Sequence, residues 1–307
     1  MRPIPAPSLR PWAGARLGAV GAGVGELWLA GPASVVDIGE GPTTLDELAV
    51  AAGEAFLGDA AMHLLGPRFP LIVKLIDAAE WLSLQVHPDD ALASELYGPR
   101  ALGKAEAWLV LGADANTRLV TGPRHDLGEQ TLRSEIEAGT LGREHCEELV
   151  AKPGDVLMLE PGTLHAIGAG AFVYEIEQPS DLTFRMSDWG RPPTPGRTLH
   201  LEESLRAVRS DAHARPVGHD WHLDDGELSV REFRLEIAHL QAPVTRRPAG
   251  RSLEVVTAIG APIRVTGDGW AEVLDLWETI VVPASVAEYR LDGEAASMAC
   301  FGSIPTQ

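Results

Sequence analysis

Residues 82–90 read LSLQVHPDD, an alternating run that sets Gln85 and His87 two positions apart. A period of two belongs to a β-strand and sends both side chains to the same face. The preceding segment is strongly apolar, so the strand is expected to be buried, and a buried glutamine or histidine needs partners. Two further donors follow in strand-like surroundings: Glu106 in LGKAEAWLVL (102–111) and His165 in KPGDVLMLEPGTLHAIG (152–168). Taken singly, each has an ordinary explanation. Gln85 and His87 suit an exposed strand face, Glu106 suits an ion pair with Lys104, and His165 suits a structural role after a Pro-Gly turn. Taken together, one amide oxygen, two imidazoles and one carboxylate compose an N/O metal site. Such a set suits zinc and leaves a position for water or substrate.

The bulk properties exclude several classes. The chain has 307 residues, 45% of them hydrophobic and 22% charged, as in an ordinary globular protein. Its formal net charge of −19 argues against nucleic acid or an anionic membrane as partner, because phosphate surfaces need a basic face. The two cysteines, Cys146 and Cys300, make no disulfide framework and read as reduced thiols of a cytoplasmic protein. The N-terminal stretch has no apolar core of a signal peptide, and no apolar run approaches the roughly 20 residues of a membrane span.

Along the chain, GAVGAGVG (18–25) contains a G-x-G-x-G string without a preceding strand or following helix, so it reads as a loop. Residues 44–65, TLDELAVAAGEAFLGDAAMHLL, read as a helix capped by Thr44 or Asp46. FPLIVKLIDAAEWLSLQVHP (69–88) reads as a strand pair, a short helix is expected around 91–96, AEAWLVLGA (105–113) as a strand, and 128–150 as one or two helices. From 151 onward, short strands recur between Gly and Pro turns, the pattern of a sandwich or jelly roll. The fold expected is mainly β: two jelly-roll or β-sandwich units with a few short helices packed on the N-terminal half. PGDVLMLEPGTLHAIG (153–168) resembles DLWETIVVPASVAEYRLDG (275–293), and overlaying their turns sets Ala287 at the position of His165. A metal-bearing unit over 1–210 and a metal-free β unit over 211–307 are therefore expected, with HARPVGHDWHLDDG (213–226) as the linker region.

The motifs QVHPDD, GKAEAW, PGTLHAIG and EIEQPSDLTFRMSDWGR (175–191), with PWAGARL (11–17), ELWLAG (26–31) and FPLIVKLIDA, resemble the type I mannose-6-phosphate isomerases. These are zinc-dependent cupin enzymes, and the length resembles their short bacterial form. The resemblance implies that Gln85, His87, Glu106 and His165 hold one zinc ion per chain and that Arg185 is the active-site arginine. It points to Lys104 and Ser83 as pocket residues, to Arg191 as the phosphate-binding residue with Lys74 as a second candidate, and to Asp181 beside the arginine. The sequence departs from the family in Glu160-Pro161-Gly162 before the third ligand motif, in Ser187 where an aromatic residue is common, and in the small residues Ala13 and Ala105.

The chemistry implied is interconversion of mannose 6-phosphate and fructose 6-phosphate through an enediol(ate). It needs a group that moves the proton between C1 and C2, and fixed positive charge where the oxyanion develops. Arg185 suits the second task. For the first, Lys104 with a pKa lowered by the neighbouring metal and Glu175 are both candidates, and the residues leave the choice open. A sugar phosphate is the expected partner, and the chain is expected to act as a monomer or weak homo-oligomer. Two other functions fit a cupin: a non-catalytic module that binds a sugar phosphate around a structural metal, and a metal-dependent oxygenase. The Gln, Glu and two His set differs from the 2-His-1-carboxylate triad and argues against the oxygenase.

Overall fold

The computed structural model describes residues 1–305 apart from 40, 193, 196, 219, 220, 222 and 223. The chain is mainly β and divides into two compact units, one of residues 7–27 and 75–218, the other of residues 1–6, 28–74 and 219–307. The units are thus not the contiguous halves 1–210 and 211–307. Residues 28–74 group with the C-terminal part, because the helices within them hydrogen-bond to its backbone: Asp59 N to Gly250 O, Leu253 N to Leu57 O and Ala284 N to Phe56 O. Such long-range pairing leaves no local trace in the sequence.

The 7–27/75–218 unit is organised around the strand Glu106–Ala113, which runs antiparallel between Ala171–Glu177 and Val156–Leu159. Most of these residues are buried, and their near-continuous apolar run is what a strand covered on both faces requires. A second layer contains the sheet of Ala166–Ile167, Arg118–Pro123 and Cys146–Val150, and the two-stranded ribbon of Leu84–Val86 with Phe184–Ser187. Trp108, Val110, Leu157, Leu159 and Val173 fill one cluster of the core, and Leu84, Val86, Leu164, Phe184 and Met186 fill another. Leu132 and Ile136, one helical turn apart on the helix Glu129–Ala138, close the second cluster.

Several local expectations hold, and others give way to tertiary pairing. The helix Asp90–Tyr97 starts where expected, with Asp89 accepting a bond from Leu92 N. The stretch 69–88 holds two strands, Ile72–Asp77 and Leu84–Val86, which lie in different sheets and do not pair with each other. The expected helix over 128–150 ends at Ala138, capped by Gly139 in the left-handed region, and Cys146–Val150 is a strand against Arg118–Pro123. Its Glu-rich sequence favours helix only in isolation; pairing with a buried strand overrides that preference. In the expected linker, Arg215–Val217 is a strand on the edge beside Val156–Leu159, and residues 219, 220, 222 and 223 lie outside the described residues. The glycine-rich run forms turns to Gly23 and enters the strand Val24–Ala30 at its last two residues.

The other unit is a two-sheet sandwich. One sheet has the order Gly226–Ser229, Arg234–His239, Met298–Ser303, Glu254–Ile259, Thr279–Val282; the other has Val244–Arg246, Tyr289–Gly293, Ile263–Gly267, Trp270–Leu274. Val256, Phe301, Val265 and Leu291 fill the space between them. Glu254–Ile259 lies between Met298–Ser303 and Thr279–Val282 just as Glu106–Ala113 lies between Ala171–Glu177 and Val156–Leu159. The weak sequence repeat therefore reflects a repeated strand order, and Ala287, at the position overlaid on His165, is exposed. Both cysteines are buried and unpaired, and no helix among the described residues is long and apolar enough to cross a membrane.

The segment 44–65 is three helices, Leu45–Ala52, Glu54–Leu57 and Asp59–Leu65, separated by Gly53 and Gly58. Thr44 and Glu47 cap the first reciprocally, each side chain accepting the other's backbone N–H. Gly58 has φ +88, and a Cβ there would collide with the Arg251 carbonyl. Gly58→Ala combines backbone strain with that collision and is expected to cost about 2 kcal/mol or more. A urea melt showing an unchanged midpoint would remove Gly58 as the hinge of this helical segment.

Candidate metal centre

Three strands and two turns bring the predicted donors together. Gln85 and His165 form an isolated antiparallel bridge, Gln85 N to His165 O and His165 N to Gln85 O, both 3.0 Å. Gly162 N donates to His87 O at 2.9 Å, so the Pro161–Gly162 turn is tied to the QVH strand. The register between strands then sets Glu106 opposite both Leu159 and Glu177.

The result is a buried cluster. His87 Nε2 lies 3.3 Å from one Glu106 oxygen and His165 Nε2 lies 3.4 Å from the other. The donor atoms of His87, Glu106 and His165 are all within 4.8 Å of one another. His87 Nδ1 donates to the Leu182 carbonyl (2.7 Å) and His165 Nδ1 to the Thr163 carbonyl (2.8 Å). A carbonyl can only accept, so in each neutral ring the Nε2 lone pair faces the cluster. Burial, then the charge of Lys104, pushes the His87 pKa down to about 4, and burial likewise lowers that of His165. Both rings are therefore neutral near pH 7 and available as ligands.

Gln85 has its amide nitrogen 3.2 Å from His165 Nε2 and its oxygen 2.9 Å from the Ser83 hydroxyl. In this orientation its oxygen faces Ser83 and not the cluster. A half-turn of the amide exchanges the two atoms and keeps the Ser83 contact, since a hydroxyl both donates and accepts.

Lys104 sits on the same cluster. Its Nζ is 3.0 Å from Glu106, 2.7 Å from Glu177 and 3.8 Å from Glu175. Burial alone would favour the neutral amine, but Glu106, Glu177 and Glu175 outweigh it and hold the ammonium well above its usual range. The lowering expected for Lys104 depends on a neighbouring metal ion, whose charge these groups alone do not supply. Burial opposes ionisation of Glu106, and Lys104 followed by the two histidines overcomes it, so its carboxyl is held well below the usual range.

Three buried carboxyl groups, Glu106, Glu175 and Glu177, face one ammonium and two imidazoles that are neutral near pH 7. His87 Nε2 and Glu106 Oε1 make no hydrogen bond despite full burial, while Glu106 Oε2 has the Lys104 ammonium at 3.0 Å. A buried carboxylate oxygen and imidazole lone pairs that converge in this way are costly unless a cation is bound. Tetrahedral donors around zinc are about 3.3 Å apart, given bond lengths of about 2.0–2.1 Å. The two His–Glu106 separations match that spacing, so the residues present fit a divalent cation on the His87–Glu106–His165 side. The second carboxylate group, Glu106, Glu175 and Glu177, already has the Lys104 ammonium among its oxygens. No comparable cluster of donors occurs among the described residues of 215–307.

The other predicted residues divide. Glu175 is buried, with one oxygen accepting from Trp108 Nε1 at 2.9 Å. Arg185 pairs in register with Gln85; it is buried, donates through Nη1 to Thr198 O, and its Nε has no partner. Asp181 is exposed and acts electrostatically on Arg10, Lys104 and Arg185. Arg191 is committed to Asp188, Glu80 and the Trp81 carbonyl. Lys74 belongs to the other unit and lies buried, 4.7 Å from the Trp28 ring centroid. The sequence reading did not single out Glu177, Trp108 or Arg197. Trp108 stands edge-on to His165, and Arg197 shares Asp188 with Arg191. Glu177, two residues after Glu175 in an alternating strand, was the one with a readable signal.

Comparisons with known proteins bear on the family and the fold. Residues 20–106 match the family "Phosphomannose isomerase type I, catalytic domain". The chain is 38% identical over 178 residues to the mannose-6-phosphate isomerase of Streptococcus mutans, covering 56% of this chain and 53% of that protein. It thus spans about half the length of that relative. It is 29% identical over 241 residues to the Bacillus subtilis mannose-6-phosphate isomerase ManA, covering 76% of this chain and 75% of the relative. The crystal structure of a Bacillus subtilis mannose 6-phosphate isomerase superposes with a TM-score of 0.80 at 24% identity, over 98% of this chain and 99% of that one. The family resemblance carried by the motifs is thereby borne out.

If a divalent cation compensates the cluster, chelation should lower the melting temperature and readdition should restore it, since a ligand bound only by the folded state stabilises it. His165→Ala, which removes one donor, should abolish most of that metal-dependent shift. A shift of the same size in His165→Ala would show that the ion binds elsewhere.

Proposed function

We propose that this chain, whose residues 20–106 belong to the type I phosphomannose isomerase catalytic-domain family, is a zinc-dependent aldose–ketose isomerase. Its substrates would be mannose 6-phosphate and fructose 6-phosphate. The observation that carries the reading is the buried cluster of His87, Glu106 and His165 beside Lys104 and Glu175. Gln85, His87, Glu106 and His165 are the proposed ligands. Bound there, a zinc ion would supply Lewis-acid polarisation of the sugar oxygens.

The chain's own residues then divide the work. Glu175 is the better candidate for moving the proton between C1 and C2. It is a carboxylate with one oxygen fixed by Trp108 and the other on the Lys104 side. Lys104, held as an ammonium, donates hydrogen bonds and supplies positive charge. Arg185 has a free Nε and a guanidinium anchored at one end, which suits it to the oxyanion that develops on the substrate. Asp181 would accept from a sugar hydroxyl. Two guanidiniums, Arg191 and Arg197, share the buried carboxylate of Asp188, and Arg191 also pairs with Glu80. The pair Arg191–Glu80 is exposed at Glu80 and contributes little, so a phosphate can displace it. The phosphate is assigned to Arg191 with Ser83, and Lys74 stays a second candidate. Two buried, unpaired cysteines agree with a cytoplasmic protein.

A coupled assay on mannose 6-phosphate, with and without chelator, tests the reading. Turnover lost on chelation and restored by zinc is expected. Metal retained without turnover would instead indicate a sugar-phosphate-binding module. Arg185→Ala should keep its metal and lose about 10²–10³ in kcat with a smaller change in KM, because its interaction is made mainly in the transition state. Near-wild-type kcat for Arg185→Ala would sink its assignment.

A further inference from the structure

Glu177 is fully buried and directly opposite Glu106 across the sheet. Two carboxylates facing each other in this way repel, and nothing in the strand's packing calls for the second one. The contact that compensates the arrangement is Lys104. Its Nζ lies 2.7 Å from Glu177, closer than to Glu106 or Glu175. The backbone around Lys104 is held as well: Lys104 N donates to Pro88 O, and Ala105 and Gln178 exchange bonds, Ala105 N to Gln178 Oε1 and Gln178 N to Ala105 O. The side chain beyond that fixed backbone is long and flexible, with several rotatable bonds. What settles its ammonium is the pair of carboxylates, Glu106 on one strand and Glu177 on the next.

We propose that Glu177 is a positioning residue: with Glu106 it clamps the Lys104 ammonium beside the metal ligands, so that Lys104 meets the substrate in one fixed place. The inference rests on the isomerase reading of this site. Glu177 is not one of the His87–Glu106–His165 donors, though its carboxylate lies within 4.8 Å of that of Glu106, and the charge in contact with it is Lys104 Nζ at 2.7 Å. Removing its charge without changing its shape therefore frees Lys104 while leaving the three metal donors in place.

The test is a double-mutant cycle at saturating zinc, joined to crystal structures of the variants. Glu177→Gln should lower kcat about tenfold in the wild-type background and change KM little; in the Lys104→Met background the same substitution should change kcat less than about twofold. One zinc per chain should remain in every variant. The structure of Glu177→Gln should show Lys104 Nζ displaced from its place between Glu106 and residue 177. Equal fold losses in both backgrounds, or an unmoved Lys104 Nζ, would overturn the proposal. Should Glu177→Gln not fold, Glu177→Asp, which keeps the charge and withdraws it by one methylene, carries the same two readouts. A wild-type chain that turns over no mannose 6-phosphate refutes the isomerase reading itself. The position of Lys104 in the variant structures needs no turnover and keeps the two failures apart.

Discussion

Lys104 and the three carboxylates around it, Glu106, Glu175 and Glu177, are the interaction from which the rest of the site follows. The pleat forces it: residues 175 and 177 share one face of their strand, and 106 faces the same side of the neighbouring one. Three buried carboxylates cannot be stable on one ammonium alone. A divalent cation beside Glu106 and the two neutral imidazoles would relieve the repulsion among them, and the same cluster would supply its ligands.

Geometry is then a matter of register. The Gln85–His165 bridge and the Gly162–His87 backbone bond fix two short segments against each other, while the carbonyls of Leu182 and Thr163 fix the ring orientations. These carbonyls act as orienting partners of the kind that metal-bound histidines ordinarily have. A slip of one residue in any of these pairings would turn a donor to the other face of its strand. The core clusters on both sides of the Glu106–Ala113 strand oppose such a slip, because it would expose Trp108 and Val110.

The candidate donors were legible in the sequence because their signal is local. A period of two placed Gln85 with His87, and polar donors in apolar strands asked for partners. The resemblance to a known family tied the four together. What was not legible depends on contacts between distant segments. Arg191 reads as a free cation until Asp188, Glu80 and the Trp81 carbonyl are seen around it. Lys104 reads as an amine beside a metal until Glu177 is seen opposite Glu106. Residues 146–150 carry a helical composition and become a strand because Arg118–Pro123 pairs with them. The grouping of 28–74 with the C-terminal unit is likewise a property of the fold, with no composition break to mark it.

The second sandwich shows how charge decides between two copies of one strand order. On the inner side of its central strands, Glu236 and Glu254 meet Arg246, and Glu236 also meets Arg234. Tyr289 donates its hydroxyl to the remaining Glu254 oxygen. The two carboxylates are thus held by two guanidiniums, of which Arg234 also pairs with the exposed Glu227, and Arg246 further stacks over Phe301, 4.2 Å from its ring centroid. That network closes on guanidiniums, whereas the Glu106 oxygens face two neutral imidazoles and one ammonium. Guanidiniums are permanently charged and fork-shaped, so they close such a network by themselves. Imidazoles that burial keeps neutral cannot, and the cluster around Glu106 is left open to a cation. The difference between the two sandwiches therefore lies less in the strand order they share than in which bases face their carboxylates.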